Sequence, residues 1–187
     1  QRLEAGVARA ARLVEQLLRL ARLDPVVRLP DPQPVNLADL AEMAVEDAQA
    51  TAATRQQSLT LLTPEPTLEI SGDRDLLGAA LRNLIDNAFK YIETGGVLVA
   101  LRSRGDRALI QVWDTGIGIA PEHIEAIFDE YFQVGNPQRD RAKGLGLGLS
   151  IVRRLAKTLG CQVSCRSRPG KGSVFEFQVP LLDESIR

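Results

Sequence analysis

The spacing of apolar side chains changes several times along the chain, and the first pattern is a heptad repeat. Residues 1–23 repeat apolar positions at alternating steps of four and three, which is typical of a helix that packs against partner helices. The alternative is an amphipathic helix that docks on its own domain. Four prolines between Asp24 and Pro34 exclude a continuous helix there. We therefore predict a helix at residues 1–24 and a linker at residues 25–35.

Helical and strand periods alternate through the rest of the chain, with Asn36 and Asp73 as candidate helix caps. Gly105-Asp106 separates two alternating segments and predicts a hairpin turn. The predicted helices cover residues 37–57, 73–92, 121–128 and 147–159, and the predicted strands cover 58–63, 68–71, 97–104, 107–114, 161–168 and 172–179. Such alternation predicts an α/β two-layer sandwich, a mixed sheet with about three helices on one face. We expect the domain to span residues 36–182 and a tail to follow at residues 183–187.

Composition and charge narrow the function only slightly. The chain has 187 residues, of which 44% are hydrophobic and 25% are charged, with 23 basic against 24 acidic side chains. A balanced charge gives no indication of nucleic-acid binding. No uncharged apolar run reaches the roughly 20 residues of a membrane span, so we expect no membrane contact from this fragment.

The two cysteines predict neither a disulfide nor a metal site. Cys161 and Cys165 lie four residues apart in a predicted strand, a separation of about 13 Å that a disulfide cannot bridge. The only histidine, His123, is isolated in sequence, which argues against a structural metal centre. A reducing, cytoplasmic setting fits this cysteine usage best.

The predicted helix 73–92 carries one polar face. Asn83, Asp86, Asn87 and Lys90 fall within an arc of about 100° on a helical wheel, opposite a leucine-rich face. Asparagine is a mediocre helix former, so two of them one turn apart suggest a face kept for a ligand. Taken alone, the pattern also fits an ordinary solvated surface.

Two glycine-bearing segments favour the ligand interpretation. Asp114 ends a predicted strand and is followed by Gly116 and Gly118, which allow close approach of backbone to a ligand. Residues 144–148 alternate glycine with leucine directly before a predicted helix, where exposed N–H groups and the helix dipole favour phosphate. The spacing excludes a P-loop, and the preceding charged loop argues against a dinucleotide-binding fold.

The order of these segments resembles the N, G1, F and G2 boxes of sensor histidine kinases. The matching segments are 83–91, 114–118, 127–132 and 144–148, and residues 170–175 resemble the final glycine motif of that family. Residues 13–24 are similar to the second helix of its dimerisation and phosphoacceptor hairpin. The resemblance implies the Bergerat ATP-binding fold, preceded by one helix of a helical hairpin bundle.

The resemblance also implies roles for individual residues. Asp114 would accept from the adenine amino group, Gly116 and Gly118 would let the base approach, and Asn87, supported by Asn83, would hold Mg²⁺. Lys90 would contact phosphate, and a mobile lid at residues 133–143 would follow the triphosphate. The other residues that the resemblance assigns to ATP binding are Tyr91, Ile119, Phe128, Phe132, Lys143, Gly144, Leu145, Gly146, Leu147 and Gly148.

The reaction that this resemblance implies is transfer of the γ-phosphoryl group of Mg-ATP to histidine. ATPases of the same superfamily carry a water-activating Glu where this chain has Asn83, which cannot act as a general base. The implied partners are the chain's own phosphoacceptor helix, a second protomer and a response regulator. A serine kinase of the same superfamily and a nucleotide-binding scaffold are the alternatives.

Two features depart from the family pattern. The acceptor histidine belongs to a helix that we expect before Gln1, and His123 at the start of a short predicted helix is a poor substitute. We therefore expect this chain to bind ATP without labelling itself. Ile92 follows Tyr91 where family members more often carry Ser-Pro, so the contacts of that loop stay open.

Overall fold

A computed structural model of the protein describes residues 32–63, 68–134 and 146–182. The predicted helix at 1–24, most of the predicted linker, most of the predicted lid and the predicted tail lie outside these residues. Lys143, Gly144 and Leu145 also lie outside them.

A five-stranded mixed sheet forms the centre of the domain. Its strands, in spatial order, are β2 (Ser58–Leu62), β4 (Gly96–Arg104), β5 (Arg107–Asp114), β7 (Gly172–Pro180) and β6 (Gln162–Arg168). β2 and β4 pair in parallel, whereas the other neighbours are antiparallel. Both predicted hairpins are present, because β4 and β5 join through the turn at Gly105-Asp106 and β6 joins β7.

A second sheet has two strands, of which the sequence predicted only one. β1 (Gln33–Asn36) pairs antiparallel with β3 (Glu69–Gly72), with Val35 opposite Ile70. The sequence interpretation assigned residues 33–35 to the linker because Pro34 excludes a helix. The strand forms because Val35 and Ile70 are both buried in the core, and a proline is tolerated at an outer strand position.

Three α-helices cover one face of the large sheet, as predicted: α1 (Leu37–Arg55), α2 (Arg74–Lys90) and α3 (Gly148–Thr158). Asn36 caps α1 by accepting from the Ala38 backbone N–H at 2.8 Å. Asp73 caps α2 by accepting from the backbone N–H groups of Asp75 and Leu76 at 2.9 and 3.1 Å. These caps fix the helix starts within one residue of the prediction.

The predicted helix at residues 121–128 is wrong in type. The segment forms two 3-10 turns, Pro121–His123 and Ala126–Phe128, whose bonds run from residue i to i+3. Ile127 and Phe128 turn into the core, which interrupts a continuous helix. Phe128 packs edge-on against Phe175, with ring centroids 6.3 Å apart.

The core lies between the three helices and the facing side of the sheet. Leu77, Leu81, Leu84, Ile85 and Ala88 of α2 are all buried, as the helical wheel predicts. Cys161 and Cys165 are free, and burial raises the pKa of their thiols to about 11 and about 12. In the part of the chain that the structure describes, no helix has both the length and the apolar character that crossing a bilayer requires.

Candidate functional site

One cavity of about 490 Å³ collects most of the sequence-predicted site residues. It lies between the polar face of α2, the end of β5 and the start of α3. The predicted residues that line it are Asn83, Asn87, Lys90, Tyr91, Asp114, Gly118, Ile119, Phe132, Gly146, Leu147 and Gly148. Segments more than 60 residues apart in sequence therefore converge on one volume.

The polar face of α2 forms one wall of the cavity. The Asn83 amide Nδ2 donates to the Ala79 carbonyl at 2.8 Å, which turns Oδ1 toward Gly148. Asn87 lies one turn further along the same face. The Lys90 Nζ is 5.0 Å from the centre of the Tyr91 ring, a cation–π contact that positions the ammonium beside the cavity. This wall therefore presents two amide side chains, one cation and the Asp86 carboxylate to the cavity.

Asp114 is a half-buried carboxylate in a second wall of the cavity. Its Oδ1 accepts from the Gly116 backbone N–H at 2.8 Å and from the Ser173 backbone N–H at 3.3 Å. Burial raises the pKa of Asp114, and the bonds from Gly116 and Ser173 lower it in part. Because a carboxylate has about four acceptor positions, Oδ2 retains the capacity to accept from a ligand donor.

The two glycines after Asp114 allow the loop to pack closely against neighbouring backbone. A Cβ on Gly116 would lie 2.5 Å from the Tyr91 carbonyl oxygen, and a Cβ on Gly118 would collide with the Arg168 carbonyl oxygen. Gly118 also has a φ of +69°, which favours glycine. Gly116 does not line the cavity. These glycines thus let the loop pack on the end of α2 and on the turn before β7.

The start of α3 forms the third wall. Leu147 precedes the helix without a side-chain cap, so no described side chain caps the first-turn N–H groups of α3. Gly146 has a φ of +72°, and its carbonyl accepts from the Tyr131 N–H at 3.1 Å. The uncapped N-terminus faces the cavity through Leu147, Gly148 and Leu149, an arrangement that favours an anion.

Phe128 does not reach the cavity. It is buried in the core against Phe175, whereas its neighbour Ile127 lines the cavity instead. Phe128 therefore supports the wall from behind.

Two polar residues at the cavity were missed by the sequence analysis. Arg55, at the end of α1, donates through Nη1 to the Phe89 carbonyl at 2.9 Å and lines the cavity, as does Thr51 one turn earlier. Neither lies in a recognisable motif, and only the packing of α1 against α2 brings them here. A basic residue in the last turn of a helix is common for dipole reasons alone, so no sequence signal distinguished Arg55.

His123 lies beside the site but is not part of its lining. It ends the first 3-10 turn and packs on Phe132, with ring centroids 5.7 Å apart. The cavity lining includes Phe132 and excludes His123.

Comparison with known proteins identifies the class that this fold and site define. The model of the histidine kinase-, DNA gyrase B- and HSP90-like ATPase family matches residues 72–183. The sensor-like histidine kinase SenX3 of Mycolicibacterium smegmatis is 35% identical over 182 residues, which are 96% of this chain and 47% of that protein.

Two solved structures share the fold. Full-length ShkA in complex with AMPPNP matches with a TM-score of 0.81 at 30% identity, over 97% of this chain and 39% of that one. The histidine kinase ThkA in complex with response regulator protein TrrA matches with a TM-score of 0.75 at 22% identity, over 96% of this chain and 49% of that one, and this likeness concerns the fold. The chain spans less than half of each of these three proteins.

The chain belongs to the family of histidine kinase-, DNA gyrase B- and HSP90-like ATPases. Within that family its motifs and relatives make it the ATP-binding kinase core of a sensor histidine kinase, with the Bergerat fold.

Proposed function

We propose that this chain transfers the γ-phosphoryl group of Mg-ATP to a histidine on a phosphoacceptor helix, for relay to an aspartate of a response regulator. The observation that carries the proposal is the convergence of Asp114, the amide face of α2 and the uncapped start of α3 on one cavity. An acceptor for an amino group at one wall and anion-binding groups at the other match the two ends of ATP.

At the base end, Asp114 would accept from the adenine amino group through Oδ2. Oδ1 is already held by the backbone N–H groups of Gly116 and Ser173, so the carboxylate orientation is fixed before a ligand arrives. A bound donor would also offset the cost of burying this carboxylate. Guanine presents an oxygen at the corresponding ring position, so the site would favour adenine.

At the phosphate end, Asn83 and Asn87 would hold Mg²⁺ together with phosphate oxygens. The hydrogen bond from Nδ2 to Ala79 leaves the Asn83 carbonyl oxygen as the group directed into the site, and oxygen is the ligand that Mg²⁺ prefers. Among the described residues there is no cluster of three or more His, Cys, Asp or Glu side chains able to hold a metal. The ion would therefore depend on the nucleotide and, when bound, would offset phosphate charge.

The side chain at position 83 favours phosphoryl transfer to histidine over hydrolysis. An amide cannot take a proton from water, so attack by water gains no general base from Asn83. Lys90 and the N–H groups at the start of α3 supply positioning and charge stabilisation, which dominate catalysis of this reaction.

The acceptor histidine would come from outside the described domain. His123 lies in a short 3-10 turn and packs on Phe132, so its ring is engaged at the edge of the site. The chain by itself would then bind nucleotide without labelling itself, and the response regulator would take the phosphoryl group from the acceptor helix.

The test is a transfer assay with γ-labelled ATP and Mg²⁺, with the parent kinase's phosphoacceptor hairpin added in trans. We expect acid-labile, base-stable label on the hairpin and none on the chain alone. The matched control is His123→Ala, which should transfer at the unaltered rate. Acid-stable label on serine, or label on the chain that disappears in His123→Ala, would contradict the proposal.

A further inference from the structure

The large sheet has a second face that no described helix covers. Val97, Val99, Val112 and Phe175 point into the helix-covered core, so their neighbours along each strand point the other way. Ala100, Leu109 and Val174 are buried on this second face but are not part of the core cluster. We call the side chains of this second face the outer face.

Strand register arranges most of the outer face in four rows across the sheet, and Arg168 lies two positions beyond the first row on β6. The first row is apolar and contains Leu98, Trp113 and Val174, with Arg166 on the edge strand. A polar row comes next, in which Gln111 on β5 lies between Ala100 on β4 and Glu176 on β7. The last two rows carry Arg102 with Leu109, and then Arg104 with Arg107.

A hydrogen-bond chain in the polar row holds Trp113 in place. The Trp113 indole Nε1 donates to Gln111 Oε1 at 3.2 Å, and Gln111 Nε2 donates to Glu176 Oε2 at 2.5 Å. Gln178 Nε2 donates to the other oxygen of Glu176 at 2.8 Å. Trp113 nevertheless remains 40% exposed. An exposed tryptophan that is already ordered loses little side-chain entropy when a partner covers it.

Basic charge dominates the outer face. Arg102, Arg104, Arg107, Arg166 and Arg168 all alternate onto it, and Glu176 is the only acidic side chain of the described strands that does so. Arg166 lies 3.7 Å from Glu176, whereas the other four arginines form no ion pair with any described residue. Burial alone would raise the pKa of Glu176, but its amide hydrogen bonds and the arginines lower the pKa, so the carboxylate stays charged.

This clustering is invisible in the composition, which is nearly neutral overall. The arginines come together because β4, β5 and β6 each carry them at alternate positions that point to the outer face. Tryptophan and arginine are also the side chains most enriched at the energetic centres of protein interfaces.

We propose that the outer face is a docking surface for a protein segment that carries a large apolar side chain followed by several carboxylates. The apolar side chain would lie against Trp113 and Leu98, and the carboxylates would lie over Arg102 and Arg104. The distance from the tryptophan row to the last arginine row is about 20 Å, the length of six extended residues. Five strands make the face about 20 Å wide, or roughly 400 Å², so the complex is weak and transient.

The geometry favours a protein partner over a lipid surface or a nucleic acid. Trp113 bonds to a residue two positions earlier on its own strand, so the indole lies along the sheet and does not project for insertion into a bilayer. A polyanion of uniform charge would have to cover the apolar row and the buried Glu176 carboxylate. An apolar centre with a charged rim is the usual anatomy of a protein interface.

Trp113 is the only tryptophan of the chain and therefore reports on this face by itself. The probe is a synthetic peptide of two leucines followed by four glutamates, and the matched peptide has glutamines in place of the glutamates. We expect the acidic peptide to shift Trp113 emission to shorter wavelength and to saturate, and the glutamine peptide to bind at least tenfold more weakly.

The matched variants are the charge reversals Arg102→Glu with Arg104→Glu, and Arg74→Glu with Lys157→Glu on the helix side. The first pair should weaken peptide binding at least tenfold and the second less than twofold, with both proteins retaining the thermal unfolding midpoint of the unaltered chain. Equal weakening in both pairs, or no saturable shift with the acidic peptide, would overturn the proposal. The proposal would also be overturned if the acidic peptide gave no shift in Trp113 emission and the shift appeared only with anionic vesicles, only with duplex DNA, or only when the concentration of the protein itself was raised.

Discussion

The end of the cavity proposed to hold the base and the end proposed to hold the phosphates are built in different ways. At the base end, Asp114 is fixed by backbone N–H groups, and the loop that follows it packs against the carbonyl oxygens of Tyr91 and Arg168. At the phosphate end, the site consists of side chains on α2 and an uncapped helix start. Backbone contacts hold the first end, whereas the second offers groups that a ligand can use.

Under the proposed function, this difference would separate recognition from reaction. A preformed acceptor such as Asp114 would cost little to organise when a base binds, so the base end would set which nucleotide enters. The phosphate end would supply charge stabilisation where the transferred group lies. Changes at the first end should therefore alter folding and base affinity, and changes at the second should alter transfer.

The largest effect should come from breaking the base-end loop at Gly118. Gly118→Ala would place a Cβ on the Arg168 carbonyl oxygen, and we expect a loss of about 3 kcal/mol in the free energy of unfolding. The matched control is Gly170→Ala, since Gly170 has nearly the same φ of +70° and no atom near a built Cβ. It should lose about 1 kcal/mol by urea unfolding. Equal losses would show that the close approach is unimportant.

The next effect tests the phosphate end through Asn87. Asn87→Ala should lower the rate of transfer from Mg-ATP to an added phosphoacceptor hairpin about 100-fold, because it removes an oxygen that would hold the metal. Affinity for adenosine should change less than twofold. Arg82→Ala, on the same helix but outside the cavity lining, is the control and should keep the full transfer rate. A matching loss of adenosine affinity in Asn87→Ala would refute the separation of the two ends.

Base recognition should depend on one oxygen of Asp114. Asp114→Asn keeps an acceptor for Gly116 and Ser173 but replaces the other oxygen with a donor, so ATP affinity should fall about 30-fold by calorimetry. Unchanged affinity would remove Asp114 from the site.

Asp114→Asn should increase the stability of the fold although it lowers the affinity for ATP. Burial raises the pKa of Asp114, so its contribution to stability is complete below the ordinary pKa and is lost as pH rises through the raised value. Asp114→Asn should therefore raise the unfolding temperature at pH 7, and this gain should shrink as pH falls through the raised pKa. Differential scanning fluorimetry across pH 3.5–7.5 measures this, and a gain that grows on acidification would contradict the assignment.

The smallest effect should come from Arg55. If Arg55 adds a cation beside Lys90, Arg55→Ala should weaken ATP binding about fivefold without affecting adenosine, since one exposed cation contributes about 1 kcal/mol. Arg55→Lys should recover part of the loss. An equal effect on adenosine would assign Arg55 to the packing of α1 on α2.

Sequence periodicity and capping predicted most of the fold. The helix starts at Asn36 and Asp73 are local signals, because each cap bonds to backbone within three residues. β1 was missed because its pairing with β3 depends on residues 33 to 39 positions away, which no local pattern contains. The 3-10 turns around Phe128 were missed for a similar reason, since burial against Phe175 decides their shape.

The residues of the candidate site likewise fall into those that a local sequence motif predicts and those that only tertiary packing places. Asn83, Asn87 and Asp114 belong to motifs, so the sequence predicted them and the structure brings them to one cavity. Arg55 and Thr51 lie outside any motif and reach the same cavity only through the packing of α1 on α2. The arginines of the outer face likewise depend on the register of three strands, so the composition concealed them.

We propose that one end of the cavity holds adenine and the other holds phosphate. A crystal structure of the chain with Mg²⁺ and a non-hydrolysable ATP analogue would show both ends at once. We expect the adenine amino group about 3 Å from Asp114 Oδ2, with the phosphates and metal between Asn87 and the first turn of α3. A nucleotide bound with its base away from Asp114, or with its phosphates away from α3, would contradict it.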